Sequence, residues 1–271
     1  MDEFFGSDEF LVMFVPFVVY WVYSGMYELL GSLDNYRLHS KRDEDTKNLV
    51  SKLDVIKGVL FQQFIQSSTA MLIFKLTHDS DDKSTTSSSN TTSSPSPSFL
   101  IMSAGQIFVA MFVLDAWQYF IHRCMHVNKF LYRNFHSWHH RVVAPYAFAA
   151  QYNHPLDGFL TETLSGALAF FISGMSPRTS VFFFSFATIK GIDDHCGLVM
   201  PWNPFHLLFS NNTAYHDIHH QLSGSKCNFS QPFFVVWDKV FGTYVPYSIN
   251  QREGGGYEAR VVRSTLMANA S

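Results

Sequence analysis

Long apolar runs separated by polar stretches set the first reading of this chain. Residues 10–33 begin Phe10-Leu-Val-Met-Phe-Val-Pro-Phe-Val-Val-Tyr-Trp-Val-Tyr and carry Glu28 as their only charge. That is enough helix to cross a hydrocarbon core about 30 Å thick. Pro16 should bend such a helix without breaking it, because neighbours can satisfy the freed backbone group. Asp2, Glu3, Asp8 and Glu9 precede the run, whereas a cleavable signal begins basic, so the segment reads as an anchor. A second, weaker span covers 55–76, interrupted by Lys57, Gln62, Gln63 and Gln66. A third covers 99–121. Two shorter runs, 158–174 and 179–193, are joined by Met175-Ser-Pro-Arg178 and predict a hairpin or a re-entrant pair. The expected fold class is therefore all-α, with about four spanning or half-spanning helices and no β-rich domain.

The polar stretches orient these spans. Residues 34–54 hold Arg37, Lys41, Arg42, Lys47 and Lys52, whereas 77–98 holds only Lys83. Excess basic charge marks the cytosolic side, so 34–54 lies there and 77–98 in the lumen. Within the latter, 84–98 is a Ser/Thr tract that cannot bury a core and reads as a disordered loop. Its Asn90-Thr-Thr sequon would be open to lumenal glycosylation. The third span returns the chain to the cytosol at His122, and the hairpin keeps it there. Three units follow: anchor helices and lumenal loop over 1–98, a principal domain over 99–250 whose cytosolic cap comprises 122–157 and 198–250, and a mobile tail over 251–271.

Composition narrows the class. Hydrophobic residues are 47% and charged residues 15%, below the roughly 25% charged of an average soluble domain. The net charge of -3 gives no electrostatic case for nucleic acid. Cys124, Cys196 and Cys227 are too few for a disulfide framework, and no C-x-x-C occurs.

Candidate chemistry comes from histidine. Eleven of the 13 fall between His122 and His220. Three boxes hold eight of them: His122-Arg-Cys-Met-His126, His136-Ser-Trp-His139-His140 and His216-Asp-Ile-His219-His220. Spacings of three and four place the rings of a box on one helix face. His154 and His195 complete a set of ten candidate ligands, enough for two metals. An all-nitrogen shell suits iron, zinc or copper and disfavours magnesium or calcium. Zinc has no redox chemistry, so attack on an unactivated C–H bond of a lipid points to iron and O2. Asp115, Asp194 and Asp217, with Asp193, are candidates either to accept the second ring N–H of a ligand or to serve as caps. His206 reads as structural, and His39 and His78 as surface loop residues.

These strings resemble the fatty acid hydroxylase superfamily, and within it the sphingoid-base C4-hydroxylases. The resemblance is carried by the three boxes together with Tyr36-Arg-Leu-His-Ser-Lys41, Leu114-Asp-Ala-Trp-Gln-Tyr-Phe120, Tyr152-Asn-His-Pro155, Ser173-Gly-Met-Ser-Pro-Arg-Thr-Ser180, Asp193-Asp-His-Cys-Gly197, Ala214-Tyr-His-Asp-Ile-His-His-Gln221 and Asn228-Phe-Ser-Gln-Pro-Phe233. It fails over about 78–98. It implies a multi-pass enzyme of the endoplasmic reticulum with two iron ions held by cytosolic boxes. Such an enzyme hydroxylates C4 of sphinganine, free or within a ceramide. It takes O2, and NAD(P)H-derived electrons through cytochrome b5 and its reductase. It also implies association with enzymes of ceramide synthesis. No His-Pro-Gly-Gly haem motif occurs, so electrons are expected from a separate protein. The rivals are a desaturase or sterol methyl oxidase, which share the three-box plan, and a metal transporter. A transporter would place its ligands in mid-span, whereas these boxes follow span ends.

Overall fold

The computed structural model describes residues 7–81 and 97–262. Most of the Ser/Thr tract, with Asn90, and residues 263–271 of the expected tail lie outside the described residues.

Helix α1, Asp8–Leu30, starts where Ser7 Oγ accepts from Phe10 N at 3.2 Å and carries Asp8 and Glu9 in its first turn, both favourable at a positive helix end. Helix α2 is Lys41–Lys47, opened by a capping box of Ser40 and Asp43. Helix α3, Lys52–Asp81, contains the weaker span, and helix α4, Pro97–Val127, contains the third span and runs on through the first histidine box. Among the described residues, α1 and α4 are the helices long and apolar enough to cross a membrane; α3 is not.

Beyond α4 the elements shorten. They are α5 (Lys129–Asn134), two 3₁₀ turns (His136–Arg141 and Ala147–Ala149), and α6 (Pro155–Gly158). A π-helical turn, Phe159–Thr163, leads into α7 (Leu164–Ser173). The expected hairpin is present. Gly174 closes α7 at φ 62, Ser176 Oγ accepts from Thr179 N at 3.1 Å, and Pro177 opens α8, Pro177–His195. Gly, then an N-cap, then Pro is a stop-and-start signal. Helices α9 (Pro204–Leu208), α10 (Thr213–His220) and α11 (Val236–Val240) follow.

The core is assembled mainly from α1 against α8 and α4 against α7. Tyr20, Tyr27, Val55, Val59, Tyr152 and Ile192 form one apolar cluster, and Leu114, Ala169 and Phe183 belong to another. The outer faces remain apolar: Val18, Val22, Phe64, Leu72, Phe108, Phe112, Ile172 and Phe182 are exposed.

The C-terminal segment corrects one expectation. Strands β1 (Tyr247–Gln251) and β2 (Tyr257–Val261) pair antiparallel, so residues 251–262 are not a loose tail. Gly254, Gly255 and Gly256, at φ 90, 99 and 78, make the turn, where an L side chain would be strained. Tyr257 N then donates to Arg37 O at 2.8 Å, tying the hairpin to the loop after α1.

Candidate metal centre

Nine of the ten candidate histidines converge, and they do so as two groups. His122, His126, His136, His140 and His219 form one; His139, His195, His216 and His220 form the other. Within each group the ligating atoms lie within 4.8 Å of one another. The boxes do not map one to a centre. The first stays whole because His122 and His126 are a helical i, i+4 pair on α4. The second lies on a 3₁₀ turn and splits, His136 and His140 to the five-histidine group and His139 to the other. The third splits on α10, where neighbours diverge by about 100° around the axis, so His219 and His220 face different groups. The expectation that each box presents its rings together is corrected to this extent.

Ring orientation is fixed from behind. His122 Nδ1 donates to Phe229 O at 2.8 Å, His139 Nδ1 to Tyr152 O at 3.1 Å and His195 Nδ1 to Gly191 O at 2.9 Å. His219 Nδ1 donates to Cys227 O and His220 Nδ1 to Val142 O, at 2.8 and 2.9 Å. His136 Nδ1 meets Asp157 Oδ2 at 2.7 Å. A carbonyl only accepts, so each ring facing one carries its proton on Nδ1 and turns a bare Nε2 lone pair inward.

Some of the inward atoms then lack donors, whereas His216 Nε2 lies 3.0 Å from both His195 Nε2 and His220 Nε2. His136 Nε2 and His219 Nε2 are buried without a hydrogen-bond partner. His139 Nε2 and His195 Nε2, both bare by this argument, sit 3.4 Å apart. Facing lone pairs repel unless a cation lies among them, and an orphaned buried acceptor costs about 1–3 kcal/mol. Either group therefore fits a metal ion. Burial, foremost, and the crowding of other rings hold His139, His140, His216 and His220 well below the ordinary histidine value of 6.5. Burial takes His219 down to about 3 against the opposing hydrogen bond to Cys227. Neutral imidazole is the metal-binding form.

The remaining candidates lie elsewhere. His154 caps α6, where its Nδ1 accepts from Leu156 N at 3.2 Å, and it joins neither group. Asp115 accepts from Phe233 N and Phe234 N at 3.1 and 2.6 Å. Asp194 is ion-paired with Lys190. Asp217 meets His39 Nε2 at 2.6 Å and Gln221 Nε2 at 3.0 Å, so His39 is not a plain surface residue. No hydrogen bond or ion pair among the described residues joins these three carboxylates to a ring of either group. Asp193 accepts from Asn203 Nδ2 at 2.6 Å, and His206 sits 3.3 Å from its other oxygen; Asp193, His206 and Cys196 bring their ligand atoms within 4.8 Å of one another, a third possible group. Cys124, Cys196 and Cys227 are free.

Two supporting residues have no sequence signature. Asp157 follows the His-Pro pair and orients His136. Asp238 accepts from Phe229 N, Ser230 N and Thr243 Oγ1 at 2.9, 2.6 and 2.6 Å, and from Tyr215 Oη. It thereby fixes the 227–230 loop whose carbonyls hold His122 and His219.

A mostly apolar cavity of about 250 Å³ reaches one group. His195 and His216 form part of its wall, and Met13, Leu114, Phe170 and Phe184 are among its apolar lining.

Comparison with known proteins is consistent with this chemistry. The fatty acid hydroxylase family model matches residues 107–243. Sphinganine C4-monooxygenase 2 of Arabidopsis thaliana is 59% identical, over 97% of this chain and 98% of its own length. A rice protein named very-long-chain aldehyde decarbonylase GL1-9 is 52% identical over 96% and 98%. The sphingolipid C4-hydroxylase sur2 of Schizosaccharomyces pombe is 39% identical over 85% and 86%. No solved structure gives a significant match.

Proposed function

The chain belongs to the fatty acid hydroxylase family, and from that premise we propose that it hydroxylates C4 of a long-chain sphingoid base, as free sphinganine or as dihydroceramide, to give a phytosphingosine-type base. The observation that carries this reading is the opening of His195 and His216 onto an apolar cavity. A hydrocarbon can there lie against metal-binding nitrogen. One atom of O2 enters the C–H bond, the other leaves as water, and an electron pair with two protons comes from outside.

Two iron ions are the cofactor in this reading. His122, His126, His136, His140 and His219 would hold one, and His139, His195, His216 and His220 the other. Bound iron would supply the redox chemistry that zinc lacks. The chain's own residues do the rest. Backbone carbonyls and Asp157 fix the imidazole rings. Leu114, Phe170 and Phe184 hold the alkyl chain and exclude water, which limits side reactions. Electrons arrive from NAD(P)H by way of cytochrome b5 and its reductase.

The setting is the endoplasmic reticulum membrane. Helices α1 and α4 would span it, with α3 and the α7–α8 hairpin as further or half spans. The exposed Val22, Phe64, Phe108 and Ile172 support a lipid-facing belt. The basic 34–54 loop favours a cytosolic position for the histidine groups, where enzymes of ceramide synthesis are neighbours.

Expression in cells lacking 4-hydroxylated bases, followed by mass spectrometry of their lipids, tests the reading. The product should appear with the native chain and vanish with His219→Ala. A native chain that yields none contradicts it. The name of the rice relative supports a second reading, conversion of long-chain aldehydes. The same cells supplied with a fatty aldehyde should then release alkane.

A further inference from the structure

The cavity is graded along its helices. On α3 its wall passes from Gln66 to Phe74, and on the α6–α7 segment from Glu162 to Phe171. Each interval is eight or nine residues, about 12–14 Å of helix. The polar ends lie toward the histidines: Gln118 also lines the wall, one turn before His122, and Gln151 lies beside Tyr152, whose carbonyl holds His139. An amphiphile entering this space would set its polar head near the metal-binding rings and its tail away from them.

Two carboxylates line that polar end, Asp194 and Glu162. They differ in one respect. Asp194 has a cation, Lys190, in contact. Glu162 has none among the described residues. Its oxygens accept from Gln66 Nε2 at 3.0 Å and Asn153 Nδ2 at 2.7 Å, which leaves further lone pairs on each. It stands in the π-helical turn Phe159–Thr163, a geometry that recurs at functional sites. A half-buried carboxylate on the wall of a mostly apolar cavity, without a counter-charge, is costly, and a cationic ligand group would lower that cost.

We propose that Glu162 receives the ammonium group of a free long-chain base, making the unacylated amine, rather than the ceramide amide, the preferred occupant. This rests on the sphingoid-base reading above. In such a base the amino group sits on C2, close along the chain to C4. Anchoring it at Glu162 would hold C4 at the histidine end while the alkyl tail runs toward Phe74 and Phe171. An amide nitrogen carries no charge and brings a second acyl chain to the crowded end of the cavity.

Binding and turnover are measured separately. The purified chain, in detergent or nanodiscs, is titrated with sphinganine and with N-acetylsphinganine, and both are assayed as substrates. The native chain should bind sphinganine about ten-fold or more tighter, as for a charge-assisted hydrogen bond. Glu162→Gln should abolish that preference by weakening sphinganine alone, and raise KM for sphinganine with metal content unchanged. Glu162→Asp should retain part of it. Equal native affinities, or a preference that survives Glu162→Gln, would overturn the proposal even if 4-hydroxylation is seen. A parallel loss for both ligands would also overturn it, by showing a structural role. A charge-dependent preference without 4-hydroxylated product would keep the amine site and reject the reaction instead.

Discussion

The rings in this protein are aimed by what stands behind them. His136 takes its direction from Asp157, at 2.7 Å, and leaves its Nε2 buried without a partner. Asp157→Ala should therefore weaken metal binding by the five-histidine group about 10–100-fold, measured by competition with a chelator, and leave the four-histidine group loaded. Equal loss from both would deny the separation of the groups. Asp115 leads to a different outcome. Its oxygens serve two backbone amides, so Asp115→Ala should lower stability by about 1–3 kcal/mol per orphaned amide, with metal content unchanged. Denaturant unfolding with metal analysis checks both parts. Residue type and spacing made the nine converging histidines legible in the sequence. The roles of the carboxylates were not, because Asp115 shares a helix face with His122 but meets a loop 118 residues away. His154 caps α6 and joins neither group, and a histidine before proline does not reveal in the sequence whether it caps the next helix.

At the scale of elements, the long helices were legible from hydropathy, and Gly174, Ser176 and Pro177 announced the α7–α8 turn. The division of two boxes between two groups was hidden. It depends on a 3₁₀ turn at the second box and on the rotation of α10 at the third, and neither leaves a mark in composition. The β1–β2 hairpin was missed because three consecutive glycines read as slack, although positive φ at each is what the turn requires. Asp238 shows how short elements are held. It joins α10, through Tyr215, to the 227–230 loop that carries two of the ring-orienting carbonyls. Asp238→Ala should cost about 2 kcal/mol or more and release metal first from the five-histidine group, which contains both His122 and His219. Simultaneous release from both groups, followed by metal analysis during mild denaturation, would count against that link.

For the whole molecule, the metal-free state should be acid-sensitive. His139, His140, His216, His219 and His220 are all displaced below 6.5, His219 to about 3. Just below 6.5 the unfolded chain binds protons at these rings and the folded chain does not, so stability falls as pH drops through 6.5. The slope approaches about 1.4 kcal/mol per pH unit for each such histidine. Thermal unfolding of metal-stripped protein from pH 7.5 down to about 5.5 should show a falling midpoint; a flat profile would place these rings in water. The larger architecture brings this buried nitrogen to an apolar space: the long helices carry exposed apolar faces, and His195 and His216 form part of the wall of the cavity between the helices. The central claim is that this junction inserts an oxygen atom into a sphingoid chain. Mass spectrometry of sphinganine incubated with the purified, iron-loaded protein, a reductant and isotopically heavy O2 tests it most directly. The account predicts 4-hydroxysphinganine carrying one heavy oxygen at C4, and none from His195→Ala. Unchanged sphinganine, or a hydroxyl drawn from water, would contradict it.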